Sequence, residues 1–391
     1  MFKVETLNSI SQAGLRHLDP KLYQVGDKVE NPEGIILRSF DMHGMELPDS
    51  VLAVARAGAG TNNIPVDEYA QKGVVVFNTP GANANAVKEL VILGMLLSSR
   101  KVFQGMEWVN SQKDDPNIEK IVEKGKSQFV GPEIEGKTLG VVGLGAIGVM
   151  VANVAYRLGM RVVGYDPFLS VDAAWHMSRH VQRAETLGDL VAQCDYVTLH
   201  IPLNNATRGM YNASLFAATK KGCHLLNFAR GGLVDTAALK DAMADGTIAT
   251  YITDFPTADV ATLPNVMLIP HLGASTPESE ENCAEMAALQ LRNFLEFGNI
   301  KNSVNFPNCE MPYTGQVRIA ITHENKPNMV SSITSVLAKE GINIDNMTNK
   351  SKGNFAYTLL DVDGLGAGKA TLLASLSAID GVSGARVVRE A

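Results

Sequence analysis

The chain reads as an α/β protein, with two doubly wound, Rossmann-like parallel-sheet lobes followed by a C-terminal ferredoxin-like βαββαβ domain. Three observations predict this. Short apolar runs alternate with helical patterns over the first three quarters of the 391 residues. A glycine turn, Gly143-Leu144-Gly145-Ala146-Ile147-Gly148, joins a strand-like run to a helix-like one. From Gln316 onward a compact segment repeats the strand and helix patterns in a different order.

In chain order, Met1-Phe2-Lys3-Val4-Glu5 opens a strand-like segment and has none of the features of a secretion signal. Residues 35–37, 51–55 and 74–77 read as buried strands. Residues 86–102 read as a long helix, apolar almost all round and therefore buried. Residues 131–136 break the pattern before the strand 138–142, and the glycine turn then opens a helix over 149–158. The next strand, 161–165, ends at Asp166. Apolar runs at 196–201, 224–228, 251–253 and 266–269 are each followed by loop residues, as parallel strands require. A second long helix covers 276–296, and Asn302 to Asn308 with Met311-Pro312 mark a linker. In the tail, 317–322, 342–347, 357–362 and 385–388 read as strands, with helices over 329–340 and 369–378.

The glycine turn carries a specific chemistry. Gly143 permits the tight turn, Gly145 lets a pyrophosphate approach backbone N–H groups, and Gly148 lets helix pack on strand. Ala146 and Ile147 begin the helix, where orphan N–H donors and the helix dipole favour negative charge. Asp166 is placed to accept hydrogen bonds from an adenosine ribose. A carboxylate there repels a 2′-phosphate, and Pro167 and Phe168 supply no arginine, so the expected cofactor is NAD rather than NADP.

Composition narrows the partners. A net charge of −7 argues against nucleic acid and anionic lipid. Cys194, Cys223, Cys283 and Cys309 are far apart and fit free thiols in a reducing cytosol. The apolar run 90–97 is too short to cross a bilayer. His176 and His180 stand four apart in a helical pattern without a third ligand, so they read as a solvated helix face, and no metal is expected.

Three further segments place chemistry at strand ends: Arg230 within 227–235, Asp254 and Asp259 within 254–259, and His271 within 270–274. Arginine grips a carboxylate and a 2-oxygen with a planar fork. Histidine exchanges a hydroxyl proton near neutral pH, and a carboxylate behind it orients the imidazole. That set suits a 2-hydroxy acid.

The stretch 135–140, His200-Ile201-Pro202-Leu203 with Thr207, the Arg230 segment and Pro270-His271-Leu272-Gly273-Ala274-Ser275-Thr276 resemble the D-isomer-specific 2-hydroxyacid dehydrogenases, in the branch that carries a C-terminal ACT domain. The resemblance covers essentially the whole chain. It implies a discontinuous substrate-binding domain of residues 1–96 and 272–311, an NAD-binding domain of 97–271 and an ACT domain of 312–391. It also implies oxidation of 3-phospho-D-glycerate to 3-phosphohydroxypyruvate, the first step of phosphorylated serine biosynthesis, by a cytoplasmic homo-oligomer (dimer or tetramer). The alternatives are a sister enzyme acting on glyoxylate, hydroxypyruvate or 2-oxoglutarate, and an NAD(H)-sensing, corepressor-like binding protein.

Carried over by that resemblance, Arg230 binds the substrate carboxylate and carbonyl, and His271 is the acid/base. Asp254 lies near the nicotinamide amide, and Ala229, His200, Ile201, Pro202, Thr207 and Gly273 complete the cofactor pocket. Arg38 and Ser39 take the substrate phosphate. Backbone N–H groups around Ala59 and Gly60 meet the carboxylate, with Asn83 nearby. One departure concerns the family's Asp-Val-Phe, two residues, then glutamate. Counting five from Asp254 puts Asp259 at the glutamate position, whereas aligning on Phe-Pro-Thr puts Ala258 there. We adopt Asp259, because a catalytic histidine without a partner loses orientation and proton affinity. In the tail, the resemblance makes His323, Asn325 and Asn343 contacts for a regulatory amino acid, typically serine, with a purely structural dimerisation module as the other reading. The usual Pro-Gly there is Pro327-Asn328, and asparagine tolerates the left-handed backbone such a turn needs.

Overall fold

The computed structural model describes residues 1–390. They divide into two compact units, one of Met1–Asn83 with the return from Pro277, the other of Ala84–Thr276.

The first unit holds a five-stranded parallel sheet in the order β2-β1-β3-β4-β5, built from β1 (Phe2–Leu7), β2 (Tyr23–Gly26), β3 (Gly34–Leu37), β4 (Ala53–Arg56) and β5 (Val75–Phe77). Its inner strands are apolar at nearly every position because a parallel sheet is covered on both faces. The helix Pro277–Phe297 covers one face with Ala284, Ala287, Leu291 and Phe294.

The second unit holds a seven-stranded parallel sheet, β12-β11-β10-β9-β6-β7-β8. The strands are β6 (Thr138–Val142), β7 (Arg161–Tyr165), β8 (Gln182–Arg183), β9 (Tyr196–Leu199), β10 (Cys223–Asn227), β11 (Ile248–Thr253) and β12 (Val266–Leu268). Strand order reverses between β6 and β9, and the crevice at such a switch point is where open α/β sheets bind ligands.

The helix expected over 86–102 runs Ala84–Ser99 and packs on the second unit, against the helix Ala146–Arg157 and strands β10 and β11. The unit boundary therefore lies at the start of this helix, ahead of residue 96. Nor is the helix buried all round. Val87, Val91 and Met95 face the core, while Leu93 and Leu96 are 49% and 42% exposed. Two shorter helices follow, Val102–Ser111 and Ile118–Gly125, and neither buries a residue.

The C-terminal sheet is antiparallel, β14-β15-β13-β16, from β13 (Val317–Glu324), β14 (Ile344–Lys352), β15 (Phe355–Val362) and β16 (Val382–Arg389). With the helices Met329–Lys339 and Lys369–Ser377 this is the ferredoxin-like order. The β14–β15 hairpin is longer than expected, because the polar run Asn349–Lys352 sits on an exposed edge with no apolar signal. Asn328 does take the left-handed backbone, at φ 68°, and caps its helix.

The segment expected as a linker is folded instead. The Asn305 side chain accepts from Val76 N at 2.9 Å and donates to Val74 O at 2.9 Å, pairing like a strand residue. The tail sheet belongs to the first unit and is fastened to it by two arginines, one buried and one half-buried. Arg318 is fully buried, paired with Asp361 (2.6 and 2.8 Å) and donating to the carbonyls of Phe297, Met311 and Pro312. Arg386 donates to the carbonyls of Phe294 and Leu295. Such charges are tolerated inside a protein only with their donors satisfied.

Two expectations about surface features are settled here. The helix Val171–His176 ends at its histidine, and His180 stacks on Tyr156 with ring centroids 4.5 Å apart. The two histidines therefore share no helix face. Among the described residues no helix is long and apolar enough to cross a membrane.

Candidate functional site

The glycine turn has the geometry its sequence requires. Gly143 sits at φ 91°, and a Cβ there would come within 2.6 Å of the His200 carbonyl. A Cβ on Gly148 would lie 1.9 Å from the Gly143 carbonyl. These two glycines are therefore dictated by the fold itself. Gly145 differs, since no atom lies within 4 Å of where its Cβ would be. It is the N-cap of the helix Ala146–Arg157 and offers no side chain to the first N–H groups. Open space in front of unsatisfied helix-terminal donors fits a pyrophosphate.

Asp166 lies at the end of β7, beside that turn. Its Oδ2 accepts from Leu144 N and its Oδ1 from Phe168 N, both at 2.8 Å. It lines a cavity of about 320 Å³ with Leu144, Pro167, Leu169, Met177 and Arg183. Arg183 was not singled out from sequence, because it comes from the two-residue strand β8. It pairs with Glu185 at 3.2 Å.

The loop after β9 is shaped by small polar bonds. Thr207 Oγ1 donates to Pro202 O at 2.6 Å. His200 bonds Thr198 Oγ1 through Nε2 at 3.0 Å, and burial holds its imidazole down to about 3, so it stays neutral. Ile201 touches the would-be Cβ position of Gly143 at 2.7 Å, which places this loop against the turn.

Arg230 follows β10, and its loop is wrapped around Asn227, a buried residue to which sequence reasoning gave no role. Asn227 Oδ1 accepts from Ala229 N and Arg230 N, and its Nδ2 donates to Arg230 O at 2.9 Å and Tyr251 Oη at 3.2 Å. Arg230 Nη1 donates to Ala229 O, and its guanidinium lies 5.8 Å from the centroid of Phe255. The same ring packs against His271 at a tilt, with centroids 4.7 Å apart and planes 51° from parallel. Phe255 thus stands against both the arginine and the imidazole, a contact the sequence gave no means of assigning.

Asp254 is 1% exposed at the end of β11. Its Oδ2 accepts from Gly273 N at 3.3 Å, while its Oδ1 is buried with no partner. Burial pushes its carboxyl above the usual carboxylate pKa, and the neighbouring charges of His271 and Arg230 oppose that rise. Asp259 sits in the exposed first turn of the helix Ala258–Ala261. Among the described residues neither an ion pair nor a hydrogen bond joins Asp259 to His271.

In the first unit, Leu37 and Arg56 pair across β3 and β4, so the loops after them leave one edge of the sheet. Arg38 Nη1 pairs with Glu280 at 2.7 Å. Ser39 N and Phe40 N donate to Asn8 Oδ1, and Asn63 Nδ2 donates to the carbonyls of Arg38 and Phe40. In the second loop Asn78 Nδ2 donates to Ala59 O at 2.7 Å, and the Gly58 carbonyl accepts from Thr79 N. Gly60 follows in that loop, and Asn83 is the last residue before the helix Ala84–Ser99.

In the tail, His323 is buried and both ring nitrogens are engaged, with Glu324 O and with Thr358 Oγ1 and Asn349 Oδ1. Asn325 donates to Gly353 O, and Asn343 Nδ2 to Asp345 Oδ1; both asparagines are exposed.

A dinucleotide turn, an arginine after β10 and a histidine after β12, at the same end of one sheet, define a nicotinamide-dependent oxidoreductase acting on a small acid. Comparison with known proteins makes this specific. The family model for the D-isomer specific 2-hydroxyacid dehydrogenase NAD binding domain matches residues 92–273. The D-3-phosphoglycerate dehydrogenase of Escherichia coli K12 is 31% identical over 351 residues, covering 87% of this chain and 82% of that protein. That of Methanocaldococcus jannaschii is 32% identical over 301 residues, 75% of this chain, and the chain spans about half of its length (55%). Among solved structures, the NAD+-bound 3-phosphoglycerate dehydrogenase of Entamoeba histolytica superposes with TM-score 0.60 at 25% identity, covering 78% of this chain and 98% of the other. A glyoxylate reductase from Paecilomyes thermophila gives 0.63 at 25% identity, covering 78% and 98%. The chain belongs to the D-isomer-specific 2-hydroxyacid dehydrogenases, and its cofactor is NAD.

Proposed function

We propose that the chain oxidises 3-phospho-D-glycerate to 3-phosphohydroxypyruvate, the entry step of phosphorylated serine biosynthesis, in the cytoplasm. The observation that carries this reading is the paired presence of Arg230 and His271 around Phe255, with Arg38 beside Ser39 in the first unit. NAD, when bound, supplies the hydride acceptor. Arg230 holds the substrate carboxylate and 2-oxygen in a planar fork, which fixes the carbon that loses hydride. His271 takes the hydroxyl proton in oxidation and returns it in reduction. Half-buried, neutral His200 adds no charge to the cofactor side. Arg38 exchanges Glu280 for the substrate phosphate.

In this reading residues 1–83 with 277–311 bind substrate, 84–276 bind NAD, and 312–391 form an ACT domain. Self-association is supported by the helices Val102–Ser111 and Ile118–Gly125, where Phe103, Met106 and nearby Val130 are 53%, 59% and 72% exposed. A serine-sized regulator would rest on exposed Asn325 and Asn343, since His323 is occupied within the sheet. Millimolar serine is then expected to lower the rate, and a rate and calorimetric titration unchanged by serine rejects that role.

The test of substrate is NADH oxidation against a panel of 2-oxo acids. The reading expects 3-phosphohydroxypyruvate to give the highest kcat/KM. Preference for glyoxylate, hydroxypyruvate or 2-oxoglutarate replaces it with a sister activity. NADH binding without any turnover replaces it with a sensing role.

A further inference from the structure

We propose that Gln290 is a positioning residue that couples the tail domain to the loop 57–60, so that the tail sets affinity for the acid substrate and not for NAD. The inference rests on the dehydrogenase reading above, in which backbone N–H groups around Ala59 and Gly60 meet the substrate carboxylate. Displacing such donors by about 1 Å is enough to weaken a bound acid's alignment. Whatever holds this loop therefore bears on how well the substrate is held.

The loop is held by a relay of amides. Asn78 Nδ2 donates to Ala59 O at 2.7 Å and Thr79 N to Gly58 O at 3.1 Å, so the two residues after β5 carry the loop. Asn78 is held in turn by the helix Pro277–Phe297. Gln290, 8% exposed within that helix, donates through Nε2 to Asn78 O at 2.9 Å and accepts at Oε1 from Asn302 Nδ2 at 2.7 Å. Its buried neighbours on the helix, Ala287, Ala288 and Leu291, are all apolar. A buried amide among them is costly unless both of its ends are met, and packing alone would be served by an apolar side chain. The amide is there to hold two segments in register.

The second of those segments is set from the tail. Asn302 takes a left-handed backbone at φ 60°, its N donates to Asn308 Oδ1 at 2.9 Å, and its carbonyl accepts from Asn78 N at 3.4 Å. The carbonyl of the next residue, Ser303, accepts from Lys352 Nζ at 2.9 Å. Lys352 is the last residue of β14, at the exposed edge of the tail sheet. The path from Lys352 through Ser303, Asn302, Gln290 and Asn78 to Ala59 is thus continuous, hydrogen bond by hydrogen bond, with one peptide link between Ser303 and Asn302. Arg318 and Arg386 fasten the tail through other carbonyls, at 294–297 and 311–312, so attachment and coupling use separate groups. Asn302 also borders two open cavities, of about 530 and 580 Å³. Water competes there for its amide, so the link can be altered without opening the core.

The test uses the full chain with Gln290→Met, Lys352→Met, Lys352→Arg and the double variant Gln290→Met/Lys352→Met. Three quantities are read: hydrogen exchange of the peptide covering 57–60, KM and kcat for the 2-oxo acid the wild type reduces best, and NADH affinity by fluorescence. Exchange needs no substrate, so it reports on the relay by itself; a wild type that turns over no 2-oxo acid fails the dehydrogenase reading alone. Gln290→Met is expected to speed exchange at 57–60 and to raise KM by about tenfold each, with kcat and NADH affinity within about twofold. Lys352→Met, acting from the far end, is expected to do the same by about threefold. Lys352→Arg keeps a donor for Ser303 O and should restore wild-type values. The double variant should be no worse than Gln290→Met, because both substitutions break one path. If Gln290→Met does not fold, the contrast between Lys352→Met and Lys352→Arg decides. Exchange and KM unmoved by Lys352→Met, or a KM rise in the double variant equal to the product of the single ones, overturns the coupling. Lost thermal stability with exchange and KM unmoved also overturns it and leaves Gln290 a residue that only holds the fold.

Discussion

At the carboxyl ends of β6 and β9, backbone crowding decides which residue can stand where; at the ends of β3 and β4, exchangeable side chains do. A Cβ on Gly143 meets the His200 carbonyl, and one on Gly148 meets the Gly143 carbonyl, so no other residue fits. Arg38, by contrast, is 40% exposed and held only by an ion pair with Glu280. In the proposed function, cofactor binding is thus written into main-chain geometry of the second unit, while substrate choice in the first unit rests on surface charge. The first should resist change and be lost all at once; the second should shift by degrees.

The largest effect is expected at the arginine. Arg230→Lys keeps the charge but loses the fork, and kcat/KM should fall by about 1,000-fold with NADH affinity retained. Steady-state kinetics with a fluorescence titration check this, and a parallel loss of NADH binding would show that Arg230 supports the cofactor instead. The two glycines sharpen the comparison further. Gly143→Ala meets both a left-handed backbone and a carbonyl, and should cost more than about 2 kcal/mol of folding stability. Gly145→Ala points into open space and should leave the melting temperature nearly unchanged while weakening NADH binding. If both variants melt alike, the distinction between a fold-required and a ligand-required glycine fails.

Arg38→Ala should raise KM for a phosphorylated 2-oxo acid by about tenfold or more and hardly alter it for an unphosphorylated one. Equal changes for both would remove Arg38 from substrate recognition. Replacing Phe103 and Met106 together by glutamate should lower the mass seen by light scattering, because charge on an apolar face opposes its burial. The smallest effect concerns stability. Asp195 accepts from Thr138 N at 2.9 Å and pairs with Lys220 at 2.7 Å, and the lysine's hydrogen bond, the Thr138 amide and nearby positive charge together outweigh burial and hold its carboxyl below the usual range. A depressed carboxyl stabilises the fold above the unfolded value and loses that contribution as pH falls through the folded one. Asp195→Asn should therefore cost about 1 kcal/mol at neutral pH, a difference that shrinks below about pH 4. A pH-independent difference in denaturant midpoints would point to lost packing instead.

Legibility followed the same division. The glycine turn, Asp166, Arg230 and His271 were readable because each sits at a fixed place in a strand–turn–helix rhythm. So was the left-handed Asn328, since it stands where the family's usual Pro-Gly has its glycine and asparagine tolerates that backbone. What could not be read were contacts between segments distant in sequence. Asn227 under the Arg230 loop, Asn8 and Asn63 holding the Arg38 loop, and Phe255 against Arg230 and His271 leave no periodic trace. The linker was misjudged because Asn, Ser and Pro signal a loop, yet Asn305 uses its amide as a strand would use its backbone. The long helix was taken as wholly buried because an apolar surface looks the same whether it faces a core or another surface. Whether Asp259 or Ala258 stands at the family's glutamate position stayed open for a related reason, since counting residues does not show which side chain faces the imidazole.

A crystal structure with NAD and 3-phosphoglycerate bound tests the central claim most directly. The account expects the pyrophosphate over Gly145, the substrate carboxylate on Arg230, the 2-hydroxyl beside His271 and the phosphate on Arg38. Substrate bound away from Arg230 and His271, or a dinucleotide away from the glycine turn, would contradict it.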